Sequence, residues 1–387
     1  MMKKEIAHIR KQFKLDHEML KLFDIFNVYI MKESNEIYHY ERQPFALLDR
    51  EKQELYMANF KKLLTGELDQ KMFELKFQEE AEEPTQVLLH QGLITGNAQE
   101  WQDLMLLLVD KMLVDTVYEQ DTVITFVRGQ YSRPTKARND EAEQSEKDEM
   151  FANLFILCSV NSTEQQRKTL MFDYVEREFK YNVFVDPIIK LNTPEQGFFY
   201  PSVTDNYSDV NRILYCSGRA NEPNVAFIEQ VLNAEMTVTA LEERAIFEDI
   251  VKEVAGEQLD AATIAQVYEE IHRVIESNEE EEPPKLDYKD VERMLMVSGV
   301  EDVTREKVER AFQNVVDDKN YEIKASSVIP KFTSKSIKID TKVATITISP
   351  QDLKYVKQVN YQGKRCILIE VDEDAVIEGF TLNTETL

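Results

Sequence analysis

The chain has 387 residues, 43% of them hydrophobic and 10% aromatic, with 72 acidic against 46 basic side chains and a net charge of −26. That length exceeds one ordinary core and predicts two or three domains, and the composition is that of a folded protein. The acidity disfavours bulk attraction to nucleic acid or anionic membrane, and no apolar run approaches the ~20 residues that cross a bilayer.

The start, MMKKEIAHIRKQFK, carries charge without a following apolar stretch, which is not a signal-peptide pattern. Cys158, Cys216 and Cys366 lie far apart in apolar runs, and their odd number without CxxC spacing fits neither a disulfide framework nor a zinc site. A soluble cytoplasmic protein is expected. The charge is unevenly spread. Met1 to Lys32 holds seven Lys/Arg against four Asp/Glu, a local +3, and Lys319 to Arg365 holds ten against three, a local +7. The remainder therefore carries −36, so an acidic middle lies between basic ends.

In chain order, residues 3–14 predict a helix with Ile6, Ile9 and Phe13 inward and Lys3, Lys4, Arg10, Lys11 and Lys14 on the other face. A hairpin follows, turning at Lys32–Glu36, and Asp49 caps a helix to about Leu64, with Gly66 as its stop. LDQKMFELKF alternates as a strand. Helices are expected over 85–92 and 98–117, the second with a stripe of Trp101, Leu104, Met105, Leu108, Val109, Met112 and Leu113 that reads as a core face.

The period then changes from 3.6 to 2. VITFVRGQY and FANLFILCSV predict strands around a mobile polar loop, 132–150, and TLMFDYVEREFKY predicts one long strand. GFFYPSV and RILYCS complete what reads as an antiparallel meander. Helices resume with the capping box Thr239–Glu242 and with Asp260 as the cap of a second helix. ESNEEEEPP reads as an acidic linker, after which Asp287 and Thr304 cap a helix pair. Two hairpins then follow, SIKIDTKVATITIS and YVKQVNYQGKRCILIEV, the second turning at Gln362-Gly363.

Three passages, KKEIAHIRKQFK, GFFYPSVTDNYSDVNRILY and ISPQDLKYVKQVNYQGKRCILI, together with the strand–acidic-loop–strand arrangement of 122–160, resemble an uncharacterised bacterial domain-of-unknown-function family, found mainly in Gram-positive bacteria. The resemblance runs the full length in order. The family pattern has a more arginine-rich start and a second tyrosine where Cys216 stands. With no established activity, the family implies no catalytic roles for this chain.

Motifs for chemistry are sparse. The histidines, His8, His17, His39, His90 and His272, show no HxH, HxxxH or HExxH spacing, and there is no GxSxG, GxGxxG or GxxxxGK[ST]. No metal site and no cofactor are therefore assigned. The turn after GFFYPSV is the one acid cluster of interest. Asp205 and Asp209 flank Tyr207, with Arg212 three residues on, a set that either coordinates a divalent cation or simply stabilises a turn. The basic residues Lys335, Lys338, Lys342, Lys364 and Arg365 lie on the C-terminal hairpins, and with Arg10, Lys11 and Lys14 they are candidate contacts for an anionic partner. Lysine also blunts exposed sheet edges, and the module could pack on the chain's own acidic helices around Glu242–Glu257.

The expected class is α+β: an antiparallel central sheet flanked by helices, then a small helical plus β-hairpin C-terminal module. The expected organisation is 1–120 helical with a hairpin, 121–277 sheet plus helices, 278–285 acidic linker, and 286–387 helix pair and basic hairpins. Three functions follow: a non-catalytic interaction or regulatory protein with a protein partner, an RNA- or ribosome-associated factor using the basic ends, and a metal-assisted hydrolase at 205–212.

Overall fold

A computed structural model describes residues 3–79, 84–114, 116–134, 150–164, 169–182, 186–204, 207–256, 258–278, 284–330, 336–377 and 380–381. The chain is α+β and divides into two compact units, Met1–Thr237 and Val238–Leu387.

The first unit contains helices α1 (Lys3–Gln12), α2 (Arg50–Leu63), α3 (Thr85–Ile94) and α4 (Ala98–Val114). Its strands are β1 (Leu20–Met31), β2 (Glu36–Pro44), β3 (Met72–Lys76), β4 (Thr122–Pro134), β5 (Met150–Glu164), β6 (Thr169–Asp173), β7 (Glu178–Asn182), β8 (Ile188–Ile189), β9 (Gln196–Tyr200), β10 (Ser202–Thr204), β11 (Tyr207–Asp209) and β12 (Arg212–Ser217). The main sheet has the order β2-β1-β4-β5-β9-β12-β3, with β8 paired to β5, and every ladder in it is antiparallel.

Period-2 alternation gives this sheet two apolar faces. Phe26, Val28, Ile124, Phe126, Ile156, Cys158, Phe198 and Tyr215 face one core, which α4 closes with Trp101, Met105, Leu108 and Met112. Ile25, Val127, Phe155, Leu157, Phe199 and Leu214 face the other, which α1 and α2 close with Ile6, Ile9, Phe13, Phe60 and Leu63. A fully buried side chain of this kind is worth about 1.5–3 kcal/mol, so two covered faces explain why the central strands read as nearly continuous apolar runs. Asp49 caps α2 by accepting from Lys52 N at 2.8 Å, as its position before the first apolar turn requires.

The second unit contains α5 (Ala240–Ala255), α6 (Ala261–Ser277), α7 (Tyr288–Val297), α8 (Arg305–Val316) and the short α9 (Ala325–Val328). Its strands form four antiparallel pairs: β13 (Lys285–Leu286) with β14 (Ile323–Lys324), β15 (Ile337–Asp340) with β16 (Thr345–Ile348), β17 (Val356–Tyr361) with β18 (Lys364–Ile369), and β19 (Val376–Ile377) with β20 (Phe380–Thr381). The capping box at Thr239 and Glu242 is formed, and Asp260, Asp287 and Thr304 cap their helices. Gln362 and Gly363 both take positive φ, 50° and 79°, as a two-residue hairpin turn demands.

Four sequence expectations change. TLMFDYVEREFKY is a hairpin rather than one strand: Asp173 Oδ1 accepts from Val175 N and Glu176 N, and Arg177 takes φ +55°, reversing the chain without glycine or proline. The sheet is not a simple meander, because β3 returns to its far edge beside β12. The strands flanking the polar loop reach further than expected, with Ser132, Arg133 and Pro134 paired to Ala152, Phe151 and Met150; the remainder of that loop, 135–149, lies outside the described residues. The boundary between compact units falls at 237/238 instead of 278–285, because Phe247, Ile250, Val254 and Ile271 of α5 and α6 share one core with Val291, Leu295, Val308 and Phe312. Residues 279–283 of the expected linker are outside the described residues.

Candidate interaction surface

The β6–β7 hairpin is the most exposed apolar feature among the described residues of the first unit. Its register pairs Leu170 with Tyr181, Met171 with Lys180, Phe172 with Phe179 and Asp173 with Glu178. Directly opposed residues share a face, so Leu170, Tyr181, Phe172 and Phe179 form one ladder, and Met171, Lys180, Asp173 and Glu178 the other. The Phe172 and Phe179 rings lie 5.1 Å apart, and Tyr174 meets Phe172 edge-on at 5.3 Å, extending the ladder to the tip. Leu170, Phe179, Tyr181 and Tyr174 are 63%, 73%, 72% and 86% exposed.

The charged face stabilises the turn that presents this ladder. Lys180 Nζ bonds both Asp173 and Glu176, and with the two backbone N–H donors it holds the Asp173 carboxyl far below the usual carboxylate range, at about 2. Hairpin, turn and ion pairs are therefore one local unit with an amphipathic cross-section.

The sequence-derived site residues are placed elsewhere. Asp205 lies outside the described residues. Asp209 and Arg212 come together, with Arg212 Nε 3.4 Å from Asp209 Oδ2, while Asp209 Oδ1 accepts from Asn211 N at 2.9 Å. Arg212 also approaches Glu74 Oε2 at 3.6 Å on the neighbouring strand, and Glu74 accepts from the Ser202 hydroxyl. The sequence reading missed Glu74, 138 positions from Arg212, because strand order alone brings β3 beside β12. Among the described residues no group of three or more His, Cys, Asp or Glu could hold a metal ion.

Of the basic candidates, Lys338, Lys342, Lys364 and Arg365 are exposed, and Lys335 lies outside the described residues. Lys338 projects opposite the half-buried face formed by Ile337, Ile339, Ile346 and Ile348. In α1, Lys11 is exposed and Arg10 half-buried, and Lys14 just beyond the helix is exposed. Within the second unit the segment Pro350–Tyr355 lies along α6 rather than along α5, and a groove of about 600 Å³ there is lined by Glu269, Arg273, Glu276 and Lys354 among others. A smaller cleft of about 360 Å³ in the first unit has a buried floor of Tyr118, Gln196, Tyr215 and Ser217.

The two thiols of the first unit offer little nucleophilicity. Cys158 and Cys216 are fully buried, and burial pushes the first well above the ordinary thiol value and the second up to about 12. No helix among the described residues is long and apolar enough to cross a membrane.

Comparison with curated proteins finds no match. A family model described as Domain of unknown function (DUF4317) matches residues 1–380 of the 387, so the chain belongs to that family.

Proposed function

We propose that the protein is a non-catalytic cytoplasmic interaction protein whose docking element is the β6–β7 hairpin. The observation that carries this reading is an aromatic ladder left about three-quarters exposed at Phe179 and Tyr181 on a two-stranded hairpin. Contiguous exposed aromatics are costly in a monomer and common at the centre of protein interfaces. The groups of the first unit that would serve chemistry are engaged or shielded instead: Asp209 and Arg212 bind each other, and the thiols of Cys158 and Cys216 are buried. The test is affinity purification of tagged full-length chain beside Phe179→Asp/Tyr181→Asp. A protein partner retained by the former and lost by the latter is expected; an identical set of partners on both removes the hairpin from the reading.

A second reading is an RNA- or ribosome-associated factor. It is favoured by Lys338, Lys342, Lys364 and Arg365, which are exposed and form no ion pair with another described residue. Changing Lys338, Lys342 and Lys364 together to Glu alters exposed positions only, so folding stability should move by less than about 0.5 kcal/mol each. RNA retention would then vanish and would fall steeply with salt in the wild type. RNA binding that ignores both salt and the triple variant is incompatible with this reading.

A further inference from the structure

We infer that the exposed ladder of the β6–β7 hairpin is a self-association face, and that a second copy of this chain stacks the same ladder against it about a twofold axis. The inference rests on the docking reading above and names its occupant.

Three observations select a second copy. The first is area. Each aromatic side chain carries about 150–250 Å². At the exposures of Tyr174, Phe179, Tyr181 and Leu170, the ladder therefore offers on the order of 600 Å² per copy. A symmetric pair would cover about 1,200 Å², the lower end of stable specific interfaces. The second is symmetry. Leu170 opposite Tyr181 and Phe172 opposite Phe179 make a strip of apolar rungs whose polar side-chain atoms are the tyrosine hydroxyls alone, so a twofold pairing sets one apolar strip against its own copy.

The third is charge. Two chains of −26 repel each other over most of their surfaces. The ladder itself carries no ionisable carboxylate or ammonium, because Asp173, Glu178 and Lys180 all lie on the opposite face. It is a place where two such acidic molecules can close without desolvating like charges. An isolated hairpin is marginal in water, and stacking two face to face at the ordinary sheet spacing of about 10 Å gives each the apolar cover it lacks.

Electrostatics supplies a signature. Because general repulsion opposes the pairing and apolar contact drives it, added salt strengthens the dimer, whereas contacts made through the basic hairpins would weaken.

The test is the molar mass of the full chain by sedimentation equilibrium, over about 1–100 µM and at about 50 and 300 mM NaCl. The wild type is expected to approach twice its 45.2 kDa mass, with a tighter constant at the higher salt. Phe179→Asp/Tyr181→Asp should weaken association on the order of 100-fold, as loss of two central aromatic anchors does. Met171→Glu, on the opposite face beside Lys180, should leave it unchanged. Circular dichroism and an unchanged Tm establish that the variants fold. A wild type that stays monomeric throughout overturns self-association, as does a dimer that survives the double substitution. In either case the docking reading stands or falls separately, on whether a different protein is captured by wild type and lost with the double variant.

Discussion

Arg128 grips Asp24 across adjacent strands, with Nε and Nη2 at 2.9 and 2.8 Å from the same carboxylate oxygen and both side chains 11% exposed. The contact sits beside a bulge in β1 between Leu22 and Asp24. Arg128 Nη1 also donates to Thr95 O at 2.9 Å, and the guanidinium lies 5.0 Å over the Trp101 ring. One cation thus ties two strands to the α3–α4 connection and to the core face of α4.

Removing the carboxylate leaves that guanidinium buried with only Thr95 O and the indole for company. Asp24→Ala should therefore destabilise the first unit by about 3 kcal/mol or more. Trp101 is the only tryptophan, so its fluorescence during urea unfolding reports on this unit. A midpoint unchanged within error would show that the pair adds nothing to stability.

Gly197 is required by close approach of two backbones. A Cβ there would stand 2.1 Å from Cys158 O and 2.9 Å from Leu63 Cδ2. Gly197→Ala forces β9 away from β5 at the centre of the sheet, so a loss of about 3 kcal/mol or more is expected in the same fluorescence measurement. A fully stable variant would mean that β5 and β9 do not pair in this register.

The cysteines should separate by reactivity. Burial raises Cys158 and Cys216, so at pH 8 almost none of either is thiolate, while Cys366 is partly exposed on β18. Iodoacetamide should add one group to the native chain, at Cys366, and three after denaturation, counted by mass spectrometry. Rapid native labelling of Cys216 would contradict its placement in the core.

Asp173 sets a pH dependence for the hairpin. Its folded value is depressed to about 2, so its contribution is present above the unfolded carboxylate value and fades as pH falls through about 2. Asp173→Asn should lower hydrogen-exchange protection of the 169–182 amides at pH 7. Wild type and variant should converge as the solution is acidified from about pH 4 towards 2. Equal protection at pH 7 would remove Asp173 from the turn's stabilisation.

Much of the secondary structure was legible because its causes are local. Asp49, Thr239, Asp260, Asp287 and Thr304 mark helix starts through bonds spanning two or three residues, and Gln362-Gly363 marks its turn through backbone sterics. The apolar stripe of α4 was readable as core for the same reason: one helix face repeats every three or four positions. The turn at Tyr174–Arg177 escaped because it carries no glycine or proline, only an Asp whose role depends on the strands it joins.

Local chemistry in the sequence was thus sufficient for the α+β class and most element boundaries; the apolar runs around the three cysteines read all of them as core, which holds for Cys158 and Cys216 but not for Cys366, half-exposed on a two-stranded hairpin. Local chemistry could not yield the placement of β3 beside β12, the Glu74–Arg212–Asp209 cluster, or the unit boundary at 237/238, since each depends on residues far apart in the chain meeting in a common core. The exposure of the hairpin's aromatic face belongs with these. Alternating apolar residues announce a strand, but whether a strand's apolar face is covered depends on which other elements have already found their partners.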